Sequence, residues 1–389
     1  MNRSLIFVAL ALLMWGFGEG MFFNFVPIYL DNQFGLSKSD IGLVLGAFGL
    51  AMAITHIPAG RLADRVGRRP LLWVAWVLGL LSTVIMGLAL SLPLFLVGLF
   101  GYGLTAFVSS PLSSYVTAAR GKLPIGTVLS LTTATFALGM VLGPVTGGWI
   151  GDQYGMRMSF FVAAGMFVLS NVFIFFIQKQ PIARDDPGTP PPSLRSNQAF
   201  LGLMGVLAFA MFSMYLAQPL TPNFLEGVRG LSLSETGIIF TAGALGNSMM
   251  ALTLSRVPPR RGFLFAQALV SLFAFLIWQG TSLPFYVMGY FLLGGFRAAR
   301  PMALAQAREL VHDSQMGMTY GIMETITAVI FILTPPLAGV LFERDPMLVY
   351  PLAIGLIVMS IAVSYFFSPR RIPSVPGEVS PMDGGEDAA

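Results

Sequence analysis

Long apolar stretches separated by short polar segments run along this chain as far as residue 367. Each stretch is continuously apolar over about 20 residues, the length that a helix needs to cross a hydrocarbon core. The strands of membrane β-barrels alternate polar and apolar residues instead, so the pattern predicts membrane-spanning helices. Twelve spans are predicted, at residues 5–30, 41–59, 71–90, 93–117, 126–150, 159–177, 199–225, 237–254, 262–280, 284–306, 318–341 and 347–367.

An internal repeat divides these spans into six and six. Residues 35–42, Gly-Leu-Ser-Lys-Ser-Asp-Ile-Gly, recur at residues 230–237 as Gly-Leu-Ser-Leu-Ser-Glu-Thr-Gly, and the same displacement places Asp31 on Glu226. In each copy, a serine and an acidic residue three positions later have the spacing of a helix-initiating capping box. These pairs are Ser37 with Asp40 and Ser232 with Glu235. The sequence therefore predicts an all-α integral membrane protein made of two pseudo-symmetric six-helix bundles.

The composition and the distribution of charge agree with a membrane protein. Hydrophobic residues make up 55% of the chain, charged residues make up 10%, and the mean hydropathy is +0.77, beyond the values of soluble proteins. Sixteen of the 22 basic residues fall on one side of the predicted bundle, four fall on the other, and Arg297 and Arg300 lie inside a span. The positive-inside rule makes both termini cytoplasmic, in a multi-pass protein of the cell (inner or plasma) membrane. The net charge of +4 then reflects topology rather than binding to nucleic acid.

The polar segments suggest domain boundaries. We predict an N-terminal bundle at residues 1–177, a Pro-rich cytoplasmic linker at 178–198, a C-terminal bundle at 199–367 and a disordered cytoplasmic tail at 368–389. A secretory signal peptide is the alternative for the first 20 residues, but the apolar run continues to Leu30 without a small-residue cleavage site. The chain has no cysteine, only two histidines and no cofactor motif, so we expect no disulfide, metal site or cofactor.

The loop after the second predicted span is dense in charge. It runs from Gly60 to Pro70 as Gly-Arg-Leu-Ala-Asp-Arg-Val-Gly-Arg-Arg-Pro. A loop that only oriented the protein would need arginines, but neither the aspartate nor the glycines. The loop resembles the motif between spans two and three of the major facilitator superfamily, on the basis of Gly60, Asp64, Arg65, Gly67, Arg68 and Arg69. The resemblance implies the major facilitator fold, a monomeric secondary transporter and a gating role for this loop.

A second resemblance lies in span five. Gly139, Gly143, Pro144, Gly147 and Gly148 are similar to the motif of the drug and proton antiporters of that superfamily. Closely spaced glycines let two helices approach, and proline removes a backbone donor, so simple helix packing is the alternative interpretation. Those antiporters usually carry a basic residue in span four, where this chain has Leu99. This departure puts their usual proton-relay arrangement in doubt.

The strongest candidate for binding chemistry is Glu19, inside span one. A carboxyl group in the hydrocarbon region costs several kcal/mol unless it faces a cavity or a partner. Trp15 and Phe22 lie one turn before it and nearly one turn after it, on its own side of the helix. Aromatic walls around one carboxylate suit a lipophilic cation, and the same carboxyl could exchange a proton for that cation. The resemblance to proton-coupled multidrug exporters with an acidic residue in span one points the same way.

Two arginines inside span ten offer a different chemistry. Arg297 and Arg300 share one helix face and could hold an anionic substrate. The alternative is a buried ion pair between Arg300 and Glu324 of span eleven, because both residues are predicted at a similar depth. Asn24 and Gln218 are weaker candidates, at nearly equivalent places in the two halves, and more often such groups only join helices.

The sequence therefore predicts a secondary transporter and no enzyme. Its most concrete form is proton-coupled efflux of lipophilic or cationic small molecules, with protons as the coupling ion, Glu19 as the coupling or cation-binding group and the lipid bilayer as the environment. The alternative within transport is an organic anion or amphiphile held by Arg297 and Arg300. A membrane receptor that senses a ligand is the alternative from another class, although the short loops carry no signalling domain.

Overall fold

The computed structural model describes residues 3–179, 194, 197–311 and 315–367, without the side chains of residues 56–65 and 317. Every regular element in these ranges is helical. The helices of the first half are α1 (Arg3–Phe22), α2 (Val26–Phe34), α3 (Lys38–Val66), α4 (Arg68–Leu88), α5 (Leu92–Leu104), α6 (Ser109–Ala119), α7 (Ile125–Tyr154) and α8 (Met156–Phe175). Those of the second half are α9 (Gln198–Tyr215), α10 (Thr221–Asn223), α11 (Leu233–Leu254), α12 (Pro259–Gln279), α13 (Leu283–Leu292), α14 (Gly294–Arg308), α15 (Met316–Arg344) and α16 (Val349–Phe367).

These helices account for the predicted spans. Eleven stretches in the described ranges are long and apolar enough to cross a membrane, judged by length and composition. The predicted span ten is the exception because Leu293 separates it into α13 and α14. The capping box predicted at Ser232 and Glu235 is present at the start of α11. The predicted linker lies almost entirely outside the described residues, and the predicted tail lies wholly outside them.

The two ends of the bundle differ in how the halves meet. We call the end that holds Arg3 and Phe367 the proximal end, and the opposite end the distal end. Helix α3 packs along α15, and α7 packs along α11, so two helix pairs form the contact between the halves. Hydrogen bonds between the halves whose two partners are both described lie in the distal half of the bundle. In this structure the two halves are therefore joined by hydrogen bonds at the distal end.

Carboxylates at the distal end cap helices of the opposite half. Asp152, near the end of α7, accepts hydrogen bonds from the backbone N–H groups of Leu233 (3.0 Å) and Ser234 (2.8 Å) at the start of α11. Glu343, near the end of α15, accepts hydrogen bonds from the N–H (3.1 Å) and Oγ (2.6 Å) of Ser39 at the start of α3. Free N–H groups and the helix dipole make a helix start a favourable place for an anion. Because Ser39 and Ser234 are equivalent in the repeat, the two caps are pseudo-symmetric.

A second pair of distal contacts has equivalent acceptors in the two halves. The side-chain amide of Asn32 donates to Glu226 Oε1 at 2.9 Å, and that of Asn223 donates to Asp31 Oδ2 at 3.1 Å. Asp31 and Glu226 are equivalent in the repeat, and each accepts its bond from the other half. Asp31 also forms an ion pair with Lys38 within its own half. The duplicated segments therefore supply both sides of the distal contact.

The glycines of α7 bring its backbone close to the backbones of neighbouring helices. A Cβ atom at Gly139 would lie 2.3 Å from the carbonyl O of Leu13 on α1, and one at Gly147 would lie 2.0 Å from that of Met21. On the adjacent position, a Cβ at Gly148 would lie 2.2 Å from the carbonyl O of Leu233 on α11. The glycine motif of span five thus brings α7 into backbone contact with α1 and with the other half.

We expect Gly147→Ala to destabilise the protein by about 1–3 kcal/mol or more, because the added methyl group collides with backbone that cannot rotate away. Thermal unfolding of the purified protein in detergent measures the effect. Gly165→Ala on α8 is the matched control, since a Cβ there meets nothing within 4 Å. Equal unfolding temperatures for the two variants would contradict the packing described.

We expect Asp152→Ala to weaken the distal contact by about 1 kcal/mol, roughly a fivefold change in the closed-to-open ratio. The chain has no native cysteine, so Thr241→Cys, which sits between the halves opposite Val141, can report opening to a membrane-impermeant maleimide added at the distal face. Labelling should be faster with Asp152→Ala. Asp345→Ala is the control because Asp345 caps Met347 within its own half. Faster labelling with both variants would argue against a specific role of Asp152.

Candidate functional site

Glu19 lies on the one face of α1 that its neighbours leave open. A Cβ at Gly16 would lie 2.3 Å from the carbonyl O of Phe136 on α7, and one at Gly18 would lie 2.7 Å from the ring of Phe167 on α8. The alternating glycines around Glu19 therefore let α7 and α8 approach two sides of the helix. The Glu19 side chain is left half-buried on the remaining side.

The carboxyl group of Glu19 is held by two donors. Trp15 Nε1 donates to Oε2 at 3.1 Å from one turn earlier in α1, and the hydroxyl group of Tyr102 on α5 donates to the same oxygen at 2.8 Å. Among the described residues, Oε1 has no hydrogen-bond partner. The two bonds fix the orientation of the group and leave one oxygen for a proton or a ligand.

Aromatic rings surround these donors. The Trp15 ring stacks on Phe167 with centroids 4.4 Å apart and lies 5.1 Å from the ring of Trp76. Phe22 is fully buried and meets Tyr102 edge-on at 5.4 Å. Of the two predicted aromatic neighbours, Trp15 thus contacts Glu19 directly, and Phe22 supports Tyr102 from the core.

A positive charge from the second half faces this site. Arg297 on α14 is exposed, and its guanidinium lies within electrostatic reach of the Glu19 carboxyl and of Tyr215 on α9. The Tyr215 ring is 5.7 Å from that of Phe296 and 4.6 Å from that of Phe331. The second half therefore presents a cation beside aromatic rings, opposite the carboxylate of the first half.

The predicted contact between Arg300 and Glu324 is present. The two side chains form an ion pair that joins α14 to α15. The pair is not buried as predicted, because 35% of the Arg300 side chain and 60% of the Glu324 side chain are exposed. Arg300 is thus paired with Glu324, and Arg297 is the arginine of the predicted span ten that is left to interact with Glu19.

Four interrupted spans carry Glu19, Tyr102, Tyr215 and Arg297. The sequence predicted each as a continuous span, but a turn or an irregular segment divides each one close to Glu19, Tyr102, Tyr215 or Arg297. The interruptions are a 3-10 turn at Phe23–Phe25, a 3-10 turn at Thr105–Val108, the segment from residue 216 to the π-helix Phe224–Val228, and the break at Leu293. Pro219 and Pro222 remove backbone donors in the third, and the adjacent Gly294 and Gly295 follow the break in the fourth. Discontinuous helices at mid-membrane are typical of transporter binding sites.

The weaker candidates do not join the Glu19 site through described hydrogen bonds. Gln218 donates to the carbonyl O of Met214 at 2.8 Å, within its own segment. The Asn24 side chain is half-buried and has no hydrogen bond to a described residue. Neither amide forms a hydrogen bond with Glu19 or Arg297 in the part of the chain that the structure describes.

The charged loop is described only in part. The side chains of Asp64 and Arg65, like the surroundings of Gly60, lie outside the described residues. Gly67 has a φ of +84°, a backbone conformation that favours glycine, and ends the turn before α4. The guanidinium of Arg69 lies 4.2 Å from the ring centroid of Trp73. Arg68 lines an open groove of about 710 Å³ at the proximal end, together with Ser110, Ser113, Ser114, Thr117 and Arg120.

Sequence reasoning missed Tyr102 as the second donor to Glu19. Tyr102 lies one turn after Leu99, the position at which the resemblance led us to look for a basic residue, and Leu99 itself is buried. A tyrosine between two glycines, Gly101 and Gly103, is the available signal, because small neighbours allow a ring to reach an adjacent helix.

This arrangement of spans, with a polar site between two halves, defines a multi-pass membrane transport protein. The Major Facilitator Superfamily model matches residues 8–257 and 203–382, and the chain belongs to that family. It is 22% identical to "Multidrug resistance protein 2" of Bacillus subtilis, over 89% of this chain and 90% of the relative. It is 23% identical to "Tetracycline resistance protein, class B" of Escherichia coli, over 95% and 98%.

The fold agrees with that membership. A mutant form of the nucleoside transporter NupG superposes with a TM-score of 0.78 at 13% identity, covering 94% of this chain and 99% of that one. The protein is therefore a transporter of small molecules across a membrane, and no enzyme. The two six-helix bundles predicted from the repeat are those of the major facilitator fold.

We expect Tyr102→Phe to lower transport about tenfold, because a hydrogen bond to a charged group contributes roughly 1.5–3 kcal/mol. Initial rates of substrate flux in reconstituted vesicles measure the change. Tyr286→Phe is the matched control, since it loses a 2.7 Å hydrogen bond to the carbonyl O of Gly280, within the second half. If Tyr102→Phe transports substrate at the wild-type rate at equal protein content, the role of Tyr102 is refuted.

Proposed function

We propose that this transporter exports lipophilic or cationic small molecules in exchange for protons, with Glu19 as the shared binding group. The observation that carries the proposal is the Glu19 carboxyl, oriented through Oε2 by Trp15 and Tyr102 while Oε1 is left without a described partner. A cation and a proton would then compete for one carboxylate. Competition of this kind couples the two fluxes, since each ligand is bound only after the other has left.

The surroundings of Glu19 suit an apolar cation. The rings of Trp15, Phe167 and Tyr102 lie nearly parallel to one another beside Glu19, with interplanar angles of 18° or less. Aromatic faces attract cations, and the attraction grows when water is excluded. The relatives named for multidrug and tetracycline resistance support export.

The proposed orientation places both termini and the proximal end in the cytoplasm, at the plasma (inner) membrane. It rests on the excess of arginine and lysine at that end. Because the two halves are joined at the distal end, substrate would reach Glu19 from the cytoplasm, and Glu19 would release its proton into the cytoplasm. The halves at residues 1–177 and 199–367 would then rock about the site, joined by the linker at 178–198, and the protein would act as a monomer.

Transport of an organic anion is the second candidate function. Arg297 is exposed, and it has no ion pair or hydrogen bond with a described residue. An acidic substrate could bind there without displacing a partner of the arginine. Arg300 contributes less to this alternative because Glu324 already neutralises it.

Glu19→Gln tests the proposal, because glutamine keeps the shape of the side chain and cannot ionise. With tetraphenylphosphonium in vesicles under an imposed pH gradient, we expect proton-driven flux to fall at least about tenfold. Binding of the cation by the wild type should strengthen as the pH rises, since a proton competes for Glu19, and this pH dependence should vanish in the variant.

Glu309→Gln is the matched control, since Glu309 is exposed and lies beyond the end of α14. Proton-driven flux that persists in Glu19→Gln would reject the proposal. If only an organic anion such as fluorescein moves, and Arg297→Ala stops it, the anion transporter replaces the exporter.

A further inference from the structure

The two charged groups of the site lie at the same depth on opposite halves. Glu19 is 15 residues from the distal end of its span at Phe34, and Arg297 is 14 residues from the distal end of its span at Leu283. At 1.5 Å per residue these separations are about 22 and 21 Å. The two groups are within electrostatic reach of each other but do not form an ion pair. The two unlike charges are therefore close enough to attract each other and too far apart to form an ion pair.

Neither charge is neutralised by its own half among the described residues. The donors to Glu19 are an indole and a phenol, which are both uncharged. Arg297 has no described acceptor, whereas Arg300, one turn further along α14, is paired with Glu324. An unpaired charge at this depth is costly unless it faces a cavity or a partner, so a ligand that brings the opposite charge would stabilise either group.

Aromatic rings accompany both charges. On the first half, Trp15 and Phe167 stack at 4.4 Å beside Glu19. On the second half, Tyr215 and Phe331 lie 4.6 Å apart, and Arg297 is within electrostatic reach of Tyr215. Aromatic side chains thus flank the carboxylate and the guanidinium alike. A ligand that suits both ends is aromatic, with charged groups at its edges.

We propose that the preferred substrates are amphoteric aromatic compounds, which place a cationic group at Glu19 and an acidic group at Arg297. This inference rests on the proposed function for its cationic end and adds the acidic end. A simple cation would be held by Glu19 but repelled by Arg297, and a simple anion would meet the reverse. A zwitterion satisfies both groups, so the arginine acts as a selectivity element.

Three dyes of one xanthene scaffold separate these cases: a rhodamine with a free carboxyl group is the zwitterion, its methyl ester is the cation and fluorescein is the anion. Their dissociation constants are measured by fluorescence polarisation on the full-length protein in detergent. The wild type should bind the zwitterion about tenfold more tightly than the ester. Arg297→Gln should remove this preference, because binding of the zwitterion weakens while binding of the ester is unchanged or tighter. Arg297→Lys should largely keep the preference.

Arg261→Gln is the control for loss of an exposed arginine, since Arg261 lies at the start of α12. Equal binding of zwitterion and ester by the wild type, tightest binding of fluorescein, or equal weakening of both rhodamines by Arg297→Gln would each overturn the inference. The proposed function is tested separately by Glu19→Gln. If Glu19→Gln weakens binding of the ester, and Arg297→Gln changes binding of the zwitterion and the ester equally, only the export of cations is supported. If Glu19→Gln leaves ester binding unchanged, the proposed function fails.

Discussion

Backbone contact along α7 is the constraint on which the rest of this structure depends. Inside a bilayer, apolar side chains gain nothing by leaving lipid for protein, so helices associate through close packing and polar contacts. Gly139 and Gly147 provide that packing against α1, and Gly148 provides it against α11 of the other half. Because α1 carries Glu19, one glycine-lined helix sets both the position of the carboxylate and the contact between the halves. The helix-packing interpretation of the span-five motif is therefore sufficient to explain its glycines.

The distal carboxylates complement this contact in a way that the gene duplication explains. Asp152 and Glu343 each bind the start of a helix in the opposite half, and the repeat supplies the two equivalent helix starts. An anion at a helix start is stabilised without a cation, so no desolvated arginine is required there. Water can replace such contacts when the halves separate, because the bonds lie at the end of the bundle. The arrangement stabilises one state of the transporter without making it permanent.

Sequence alone predicted the spans, the capping box of α11 and the ion pair between Arg300 and Glu324, because each depends on local spacing or on depth along a helix. It did not predict that Tyr102 binds Glu19, since 83 residues separate them and only the packing of α5 against its neighbours brings them together. The interruptions of the spans were missed for a related reason. Apolar residues continue through them, and hydropathy does not distinguish an α-helix from a 3-10 turn. The site roles of Glu19 and Arg297 remain predictions.

The position of the interruptions bears on how a charged site is tolerated in the membrane. A 3-10 turn begins at Phe23, four residues beyond Glu19, and the break at Leu293 lies four residues before Arg297. Each charged side chain is therefore attached to a helix that ends within about one turn, so it can move without the whole span moving. In the first half, Trp15 and Tyr102 restrict the movement of the Glu19 side chain, because both donate hydrogen bonds to its Oε2. No described hydrogen bond restrains Arg297 on the other side, which makes the second half the more adaptable wall of the site.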